Sequence, residues 1–406
     1  MKHGVIRVTT LTTGSEAWWQ SKNGPEWERQ KENCRVTFWW RDPAGTQKTS
    51  SVKRVWLYVT GVTDHHQNAR PQSLERIPDT DVWQWQGEFS PEWRGSYCFI
   101  PSVNENDFAD TVFEGELPDR MALREGWRKL LPHAVSDPLN RQSWRGGRGH
   151  AVSALEMPDA PVQPGWDRPD TPYQPPVCIE WNSERLNNRR RVWIFTTGDD
   201  GPERPLAVLL DGQFWAESMP VWPALTSLTT GRQLPPAVYV LIDAIDMEHR
   251  NRELPCNPDF WLAVQEELFP LVKHLAPFSD RADRTVVAGQ SFGGLSSLYA
   301  GLSWPQRFGC VLSQSGSYWW PHRGGQQEGR LNEQLRAGEL TASGLRIVLE
   351  AGRNEPLIFN ANQAIYAELH AQQQVTWRQV DGGHDALCWR GGLTQGLMTL
   401  WQPLIQ

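Results

Sequence analysis

The sequence predicts a two-domain protein in which an α/β domain with a mostly parallel sheet follows an antiparallel β-sandwich of immunoglobulin-like type. Three observations predict it. The chain of 406 residues is too long for one ordinary core. Its strand pattern changes part-way along, and a proline-rich segment marks the change. We expect the sandwich at 1–156, a linker at 157–176 and the α/β domain at 177–406.

The first part of the chain contains short runs of β-branched and aromatic residues separated by turn residues. The predicted strands are 34–40, 54–60, 82–89 and 95–100. Short strands with turn signals between them are typical of an antiparallel sandwich.

The segment 157–176 is dense in proline, with glycine and aspartate between the prolines. Proline has no backbone N–H and cannot occupy a helix interior or a central strand. This segment is therefore the predicted boundary between the domains.

Beyond the boundary, apolar runs of strand length alternate with helical stretches. The predicted strands are 191–197, 205–210, 237–242, 284–288, 309–314, 345–350 and 375–380, and the predicted helices are 260–274, 292–302 and 361–373. Several strands are continuously apolar, as expected when both faces are buried. Strand–helix alternation predicts a mostly parallel sheet with helices on both sides.

Composition limits the classes of function. Apolar residues make up 39% of the chain and charged residues 21%, and no apolar run approaches the roughly 18 residues of a transmembrane helix. The beginning of the chain lacks an apolar stretch with a small-residue cleavage site, which favours the cytoplasm. The net charge of -7 argues against nucleic acid as a partner, because phosphate binding needs a basic face.

The six cysteines stand singly, without CxxC pairs or ligand spacing. They predict free thiols in a reducing compartment and no structural metal site. We expect no metal ion or cofactor belonging to the protein itself. The oligomeric state is left open by the sequence.

One motif carries chemistry: the predicted strand 284–288 runs into Gly289-Gln290-Ser291-Phe292-Gly293, and a helical stretch follows. G-x-S-x-G between a strand and a helix is the nucleophile elbow of the α/β-hydrolase type. The glycines keep Cβ atoms out of a crowded bend, and the helix start favours negative charge. Ser291 is the predicted nucleophile.

A serine hydroxyl needs a base to accept its proton. Three histidines follow Ser291. His370 lies in a helical stretch and His322 in an irregular loop that follows no suitable strand. His384 comes directly after the last predicted strand in a glycine-flanked loop, where the base of this fold belongs, and it is the predicted base.

The acid should lie just past a strand between Ser291 and His384. Glu355 follows the end of the strand 345–350 and is preferred. Asp381, only three residues before His384, and Glu350, inside the strand, remain alternatives. The carboxylate would orient the imidazole and stabilise its charged form.

Two backbone N–H groups are predicted to form the oxyanion hole. One is that of Phe292, next after the nucleophile, and the other is that of Gln213, in the loop after the strand 205–210.

Six short motifs carry a resemblance to a known family. They are GQSFGGL at 289–295, WPQRF at 304–308, GGHD at 382–385, VTFWWRDP at 36–43, GVTDHHQ at 61–67 and WRGSYCFIP at 93–101. These segments resemble the enterochelin (enterobactin) esterases of the esterase D group, and the similarity covers nearly the whole chain. Ser291, Glu355 and His384 stand where the triad of that family would fall.

The resemblance implies a cytoplasmic serine esterase that hydrolyses the trilactone backbone of ferric enterobactin to dihydroxybenzoylserine units. Iron would arrive bound to this siderophore rather than as a cofactor of the protein.

A ferric tris-catecholate is anionic and carries flat aromatic rings, so arginines and aromatic faces should bind it. The candidates near strand ends are Arg191, Arg250, Arg252, Arg353 and Trp215, together with the pair Trp319-Trp320.

Two alternatives stay open from the sequence. The first is a carbohydrate or feruloyl-type esterase whose tryptophan-rich sandwich binds sugars. The second is a siderophore-binding protein with an inert hydrolase domain.

Overall fold

The structure, a computed structural model, describes residues 11–111, 113–114, 117–146, 149–322, 328–372 and 375–405. The chain divides into two compact units, Met1–Ala160 and Pro161–Gln406. Each unit has its own principal sheet and its own buried core. Among the helices of the described residues, none is both long and apolar enough to cross a membrane.

The first unit is built on antiparallel strands. These are β1 (Glu26–Arg29), β2 (Cys34–Arg41), β3 (Arg54–Val59), β4 (Ser73–Arg76), β5 (Val82–Phe89), β6 (Arg94–Ser102), β7 (Phe113–Glu114), β8 (Leu117–Pro118), β9 (Ser143–Arg145) and β10 (Ala151–Glu156). The main sheet has the order β1-β2-β5-β4-β3-β6-β10-β9, and β7 pairs with β8. All these pairings between described strands are antiparallel, as predicted.

The core of this unit follows from side-chain alternation. Cys34, Val36 and Phe38 of β2 point to one side and are fully buried. They belong to the same apolar cluster as Val55 and Leu57 of β3. Burial of one face of each strand therefore fixes the register of this sheet.

A helix that the sequence reasoning missed covers the other face of β3. The helices of this unit are α1 (Glu16–Gln20) and α2 (Arg120–Leu130). Asp119 caps α2 by accepting hydrogen bonds from the N–H groups of Met121 and Ala122. Trp127 of α2 packs edge-on against Tyr58 at a centroid distance of 4.9 Å. The unit thus has a helical layer that a plain sandwich lacks.

The second unit contains the mostly parallel sheet that was predicted. Its strands are β11 (Val177–Ser183), β12 (Asn188–Thr197), β13 (Leu206–Leu209), β14 (Ala237–Ile242), β15 (Thr285–Gln290), β16 (Cys310–Gln314), β17 (Arg346–Gly352) and β18 (Val375–Val380). Their order is β11-β12-β14-β13-β15-β16-β17-β18. The strands β13 to β18 pair in parallel, while β11 and β12 form an antiparallel edge.

Helices cover this sheet. They are α3 (Trp222–Thr230), α4 (Met247–Glu253), α5 (Pro258–Ala263), α6 (Phe269–Leu275), α7 (Phe292–Ser303), α8 (Arg330–Arg336), α9 (Pro356–His370) and α10 (Ala386–Trp401). Every residue of β13, β14 and β15 is buried, because helices pack on both faces. This confirms the prediction made from their continuous apolar runs.

The predicted linker, 157–176, does not lie between the two units, because its first four residues belong to the first unit and the rest to the second. The division falls after Ala160, and the following residues bind α10. The side-chain N–H groups of Gln163 and Trp166 donate to the carbonyls of Leu387 and Arg390, at 2.6 and 2.8 Å. Residues 163–166 are therefore not a free spacer, because polar groups between the prolines are hydrogen-bonded to the helix.

Candidate active site

Ser291 occupies a sharp turn between β15 and α7. Its backbone angles are φ 59° and ψ −121°, which strain any residue other than glycine. A Cβ atom on Gly289 would lie 2.4 Å from the carbonyl carbon of Gly293, so glycine is required for the bend to close. The N–H of Ser291 donates to the carbonyl of Gln314 at 3.0 Å. The predicted strand–turn–helix context is present, and β16 anchors it.

A histidine–carboxylate pair lies on the same edge of the sheet. Glu355 follows β17 and His384 follows β18, so both come after the carboxyl ends of the two strands that lie beyond β16 in the sheet. Nδ1 of His384 lies 2.7 Å from Oε2 of Glu355. Because the carboxylate engages Nδ1, Nε2 is the ring nitrogen predicted to act as the base.

Glu355 is fully buried, and two groups hold it. The N–H of Gly352 donates to Oε1 at 2.8 Å, and the hydroxyl of Ser315 donates to the same oxygen. Burial raises the pKa of Glu355 to about 8, although these two hydrogen bonds lower it. A carboxylate this deeply buried is ionised favourably only beside a positive charge, and His384 acquires such a charge when it takes a proton.

The two alternative acids are engaged elsewhere. Asp381 forms an ion pair with Arg353 at 2.9 Å. Glu350 lies inside β17, accepts a hydrogen bond from Gln314 at 2.9 Å and pairs with Arg378 at 2.9 Å. The geometry therefore favours Glu355 as the partner of His384.

Ser315 and Trp389 brace this pair and were missed from the sequence. The indole ring of Trp389 packs edge-on against the imidazole of His384, with centroids 4.7 Å apart. Its Nε1–H donates at 2.9 Å to Oγ of Ser315, which in turn donates to Glu355. One signal was available, because Ser315 directly follows β16 just as Ser291 directly follows β15.

Ser317 was also missed, although it contacts the predicted nucleophile. Its Oγ lies 3.3 Å from Oγ of Ser291, and its N–H donates to the Ser291 carbonyl at 3.1 Å. Within the described residues, this is the hydrogen bond that the Ser291 hydroxyl makes. Proton transfer from Ser291 to His384 stays a prediction, since catalytic hydrogen bonds often form only with substrate present.

The loop after β13 is held close to the neighbouring strands. A Cβ atom on Gly212 would lie 2.5 Å from the backbone nitrogen of Ile242 in β14. The side chain of Gln213 accepts a hydrogen bond from the N–H of Ala244 at 2.9 Å. Since β13 and β15 are neighbours, this loop follows the strand next to the elbow. The oxyanion roles of the Gln213 and Phe292 N–H groups stay predictions.

One of the predicted substrate contacts needs correction, and another predicted contact residue also has a structural role. Trp215 is 1% exposed, and its Nε1–H donates to the side chain of Gln290 at 3.1 Å. Its ring cannot serve as a substrate platform, because the core packs around it. Arg250 binds both carboxylate oxygens of Asp211, at 2.7 and 2.8 Å, and also donates to the carbonyl of Gln290. Arg250 therefore links the loop after β13 to the elbow, and its contact with substrate stays a prediction.

The other predicted arginines have side chains that are about half exposed. Arg191 pairs with Asp243 and Glu217, and about half of its side chain is exposed. Arg252 lies on α4 and Arg353 in the loop that leads to Glu355, and they are 57% and 54% exposed. Their substrate contacts stay predictions.

The sequence also predicted that the pair Trp319-Trp320 binds substrate. Both residues come shortly after Ser317 and are partly buried. The Trp319 ring lies 5.8 Å from that of Phe292, next to the nucleophile. A role of the pair in binding substrate also stays a prediction.

Comparison with known proteins decides the family. Residues 35–166 match the family described as Enterochelin esterase, N-terminal, and residues 183–400 match the Putative esterase family. The iron(III) enterobactin esterase of Escherichia coli O6:H1 is 71% identical over 98% of this chain and 99% of its own length. The chain belongs to the iron(III) enterobactin esterase family. This confirms the family predicted from the motifs.

Solved structures of iron(III) enterobactin esterases agree with this fold. The ferric enterobactin esterase of Salmonella typhimurium has a TM-score of 0.93 and 70% identity, covering 96% of this chain and all of that one. The enterobactin esterase of Shigella flexneri, crystallised in the presence of enterobactin, has a TM-score of 0.89 and 69% identity, over 97% of this chain and all of its own. A ferulic acid esterase of Anaeromyces mucronatus, 17% identical with a TM-score of 0.51, shares the α/β fold alone.

Proposed function

We propose that this protein is a serine esterase that hydrolyses the ester bonds of the ferric enterobactin trilactone, releasing dihydroxybenzoylserine units and making the iron accessible. The observation that carries the proposal is the 2.7 Å bond between His384 and the buried Glu355, on the sheet edge that also bears the Ser291 elbow. Relatives about 70% identical to this chain are enterobactin esterases.

The chemistry follows from the two ring nitrogens of His384. Ser291 Oγ attacks a lactone carbonyl while Nε2 of His384 takes the hydroxyl proton. Glu355 accepts the Nδ1–H and offsets the positive charge that develops on the ring. The N–H groups of Phe292 and Gln213 would stabilise the negative oxygen of the tetrahedral intermediate.

Collapse of that intermediate breaks the ester bond, and His384 gives its proton to the departing serine oxygen of the substrate, which becomes a hydroxyl. This leaves a linear chain esterified to Ser291. A water molecule then loses a proton to His384 and attacks the acyl carbon. The bond between that carbon and Ser291 Oγ breaks, and His384 returns the proton to Oγ, which restores Ser291 and leaves a carboxylic acid. Opening the ring consumes one water, and repeating the cycle on the linear product yields the monomers.

Charge complementarity supports an anionic catecholate as the substrate. Arg353 stands two residues before Glu355 with half of its side chain exposed, so it can face a negatively charged ligand near the reacting ester. The iron enters as part of the substrate, and we propose that the protein works in the cytoplasm without a cofactor of its own.

We further propose that the first unit is an immunoglobulin-like sandwich. Supporting this, β4 pairs with β3 through its first residues and with β5 through its last, as a strand crossing between two sheets does. Residues of β2 and β5 also share a core with residues of β3 and β6.

Product analysis tests the function. Purified protein is mixed with ferric enterobactin, with iron-free enterobactin and with feruloylated xylan, and the products are identified by mass spectrometry. We expect dihydroxybenzoylserine and its linear oligomers from enterobactin. Ferulate release alone would favour the carbohydrate-esterase alternative. Unchanged iron release by Ser291→Ala would favour an inert siderophore-binding protein.

A further inference from the structure

The segment after β16 is folded closely around the nucleophile. Ser315 has a left-handed backbone, with φ 48°, and a Cβ atom on Gly316 would lie 2.3 Å from the Tyr318 ring. The Ser317 N–H donates to the Ser291 carbonyl, and the Ser317 carbonyl accepts from the N–H of Trp320 at 3.0 Å. The backbone of Ser317 is therefore fixed relative to the elbow.

This arrangement aims the Ser317 hydroxyl at the reacting oxygen. Ser317 is 2% exposed, and within the described residues its side chain makes one hydrogen bond, the contact of 3.3 Å with Ser291 Oγ. Hydroxyl–hydroxyl bonds are usually about 2.7–2.8 Å long. The resting contact is thus a weak neutral bond that has room to shorten.

The proposed reaction determines which of the two hydroxyls donates the hydrogen bond. Ser291 must point its hydrogen towards Nε2 of His384 to lose it, so its oxygen is then the acceptor and Ser317 the donor. As the proton leaves, Ser291 Oγ gains negative charge, and hydrogen bonds to a charged oxygen are shorter and roughly twice as strong as neutral ones. The bond therefore stabilises the transition state more than the resting enzyme.

We propose that Ser317 is a further catalytic residue, whose hydroxyl donates to Ser291 Oγ as that atom loses its proton and again when it leaves the acyl carbon. No covalent bond to Ser317 forms, and its proton stays on it throughout. The inference rests on the proposed function, because it requires Ser291 to be the nucleophile.

The opposite orientation makes a different prediction. If Ser291 donated to Ser317, the contact would hold the nucleophile's hydrogen away from His384, and removing Ser317 would speed the reaction. The sign of the effect on kcat therefore separates a catalytic donor from a restraining acceptor.

The test compares Ser317→Ala with Ser297→Ala in the full-length protein. Ser297 is a matched control, because it is a buried hydroxyl on α7 that donates to the Gly293 carbonyl at 2.8 Å. Both are assayed on ferric enterobactin and on a p-nitrophenyl ester. We expect Ser317→Ala to lower kcat about tenfold on both with KM unchanged, and Ser297→Ala to stay within about twofold of wild type.

A second readout and a second variant complete the test. The rate at which a fluorophosphonate labels Ser291 should fall to a similar extent in Ser317→Ala. Ser317→Cys keeps the shape of the side chain but offers only a weak donor, so its kcat should fall as well. This variant provides the test if Ser317→Ala does not fold.

Wild-type or raised kcat in the folded variants would overturn the role of Ser317 while leaving the esterase assignment intact. A wild-type chain inert on both esters and unlabelled at Ser291 would overturn both.

Discussion

Two adjacent regions near the carboxyl ends of β15 to β18 each contain a buried glutamate, and we propose that they have different roles. The first, the loop layer, holds the proposed catalytic groups and the residues that touch them, which are Ser291, Ser315, Ser317, Glu355 and His384. The second, the strand-end row, lies on the strands themselves and consists of Gln290, Gln314, Glu350 and Arg378, which are cross-strand partners in register.

The strand-end row is a continuous chain of polar contacts across the sheet. Nε2 of Gln290 donates to Gln314 at 2.8 Å, and Nε2 of Gln314 donates to Glu350 at 2.9 Å. Arg378 closes the row by its ion pair with Glu350. Each of the four side chains thus contacts a side chain on a neighbouring strand, and these contacts help to hold the strands in position.

The two glutamates show what separates the regions. Burial raises the pKa of Glu350 to about 7 and that of Glu355 to about 8, so burial alone does not distinguish them. Glu350 faces Arg378, which is always charged, whereas Glu355 faces His384, which can gain and lose a proton. We propose that the partner of each carboxylate, and not its burial, gives Glu355 a catalytic role and Glu350 a structural one.

The largest expected effect is that of removing the nucleophile. Ser291→Ala should lower kcat on the order of 10⁶-fold while leaving the affinity for ferric enterobactin nearly unchanged. Initial rates and tryptophan-fluorescence titration measure the two quantities, with Ser297→Ala as the control. Activity within tenfold of wild type would remove Ser291 from the reaction.

The second prediction sets the two glutamates against each other. Glu355→Gln should lower kcat about 10⁴-fold, because an amide cannot hold the imidazole in the correct tautomer or offset its charge. Glu350→Gln keeps the acceptor for Gln314 and should leave kcat within about threefold of wild type. Equal losses in the two variants would show that the regions do not differ as described.

The third prediction uses the raised pKa of Glu350. The unfolded carboxyl ionises near its ordinary value of 4.5, whereas the folded one keeps its proton to about pH 7. Between these values the folded state binds the extra proton, so the free energy of unfolding falls as pH rises. This group should contribute a fall of about 3 kcal/mol between pH 4.5 and 7.

Urea unfolding of Glu350→Gln measures that contribution. The variant should lack this part of the pH dependence, while Glu339→Gln, which removes an exposed carboxylate, should keep it. Identical pH profiles for wild type and Glu350→Gln would contradict the assigned burial effect.

The smallest expected effect concerns Arg353, at the outer side of the loop layer. Arg353→Ala should raise KM for ferric enterobactin about threefold and leave kcat unchanged, since an exposed ion pair contributes little. KM for a neutral aryl ester should not change. Arg189→Ala, an exposed arginine on β12, is the control, and an equal effect of both variants would argue against a specific contact.

The sequence predicted the parts of the site that have a local signature. Ser291 lies in a motif whose first glycine, Gly289, is required by the bend, and Glu355 and His384 stand in the loops that follow β17 and β18. Chain order and strand ends favoured these residues, with Asp381 and Glu350 left as alternative acids, because the carboxyl ends of neighbouring parallel strands meet at one edge.

Other parts depend on tertiary contacts that no local pattern reveals. The glycines of α10 lower its helix propensity, yet a Cβ atom on Gly392 would lie 2.0 Å from Glu350, so they permit close packing on the sheet. Trp215 was assigned to the substrate because its ring suits one, but its N–H finds a buried partner in Gln290. Ser317 reaches the nucleophile only through a left-handed turn at Ser315.

The most direct test of the central claim is peptide mass spectrometry on protein quenched in acid during the first turnover of ferric enterobactin. Attack by Ser291 predicts one linear acyl chain on the peptide that contains Ser291, and no such adduct in Ser291→Ala. An adduct on another residue, or wild-type rates of product release from Ser291→Ala, would contradict the assignment of Ser291, His384 and Glu355 as the catalytic group.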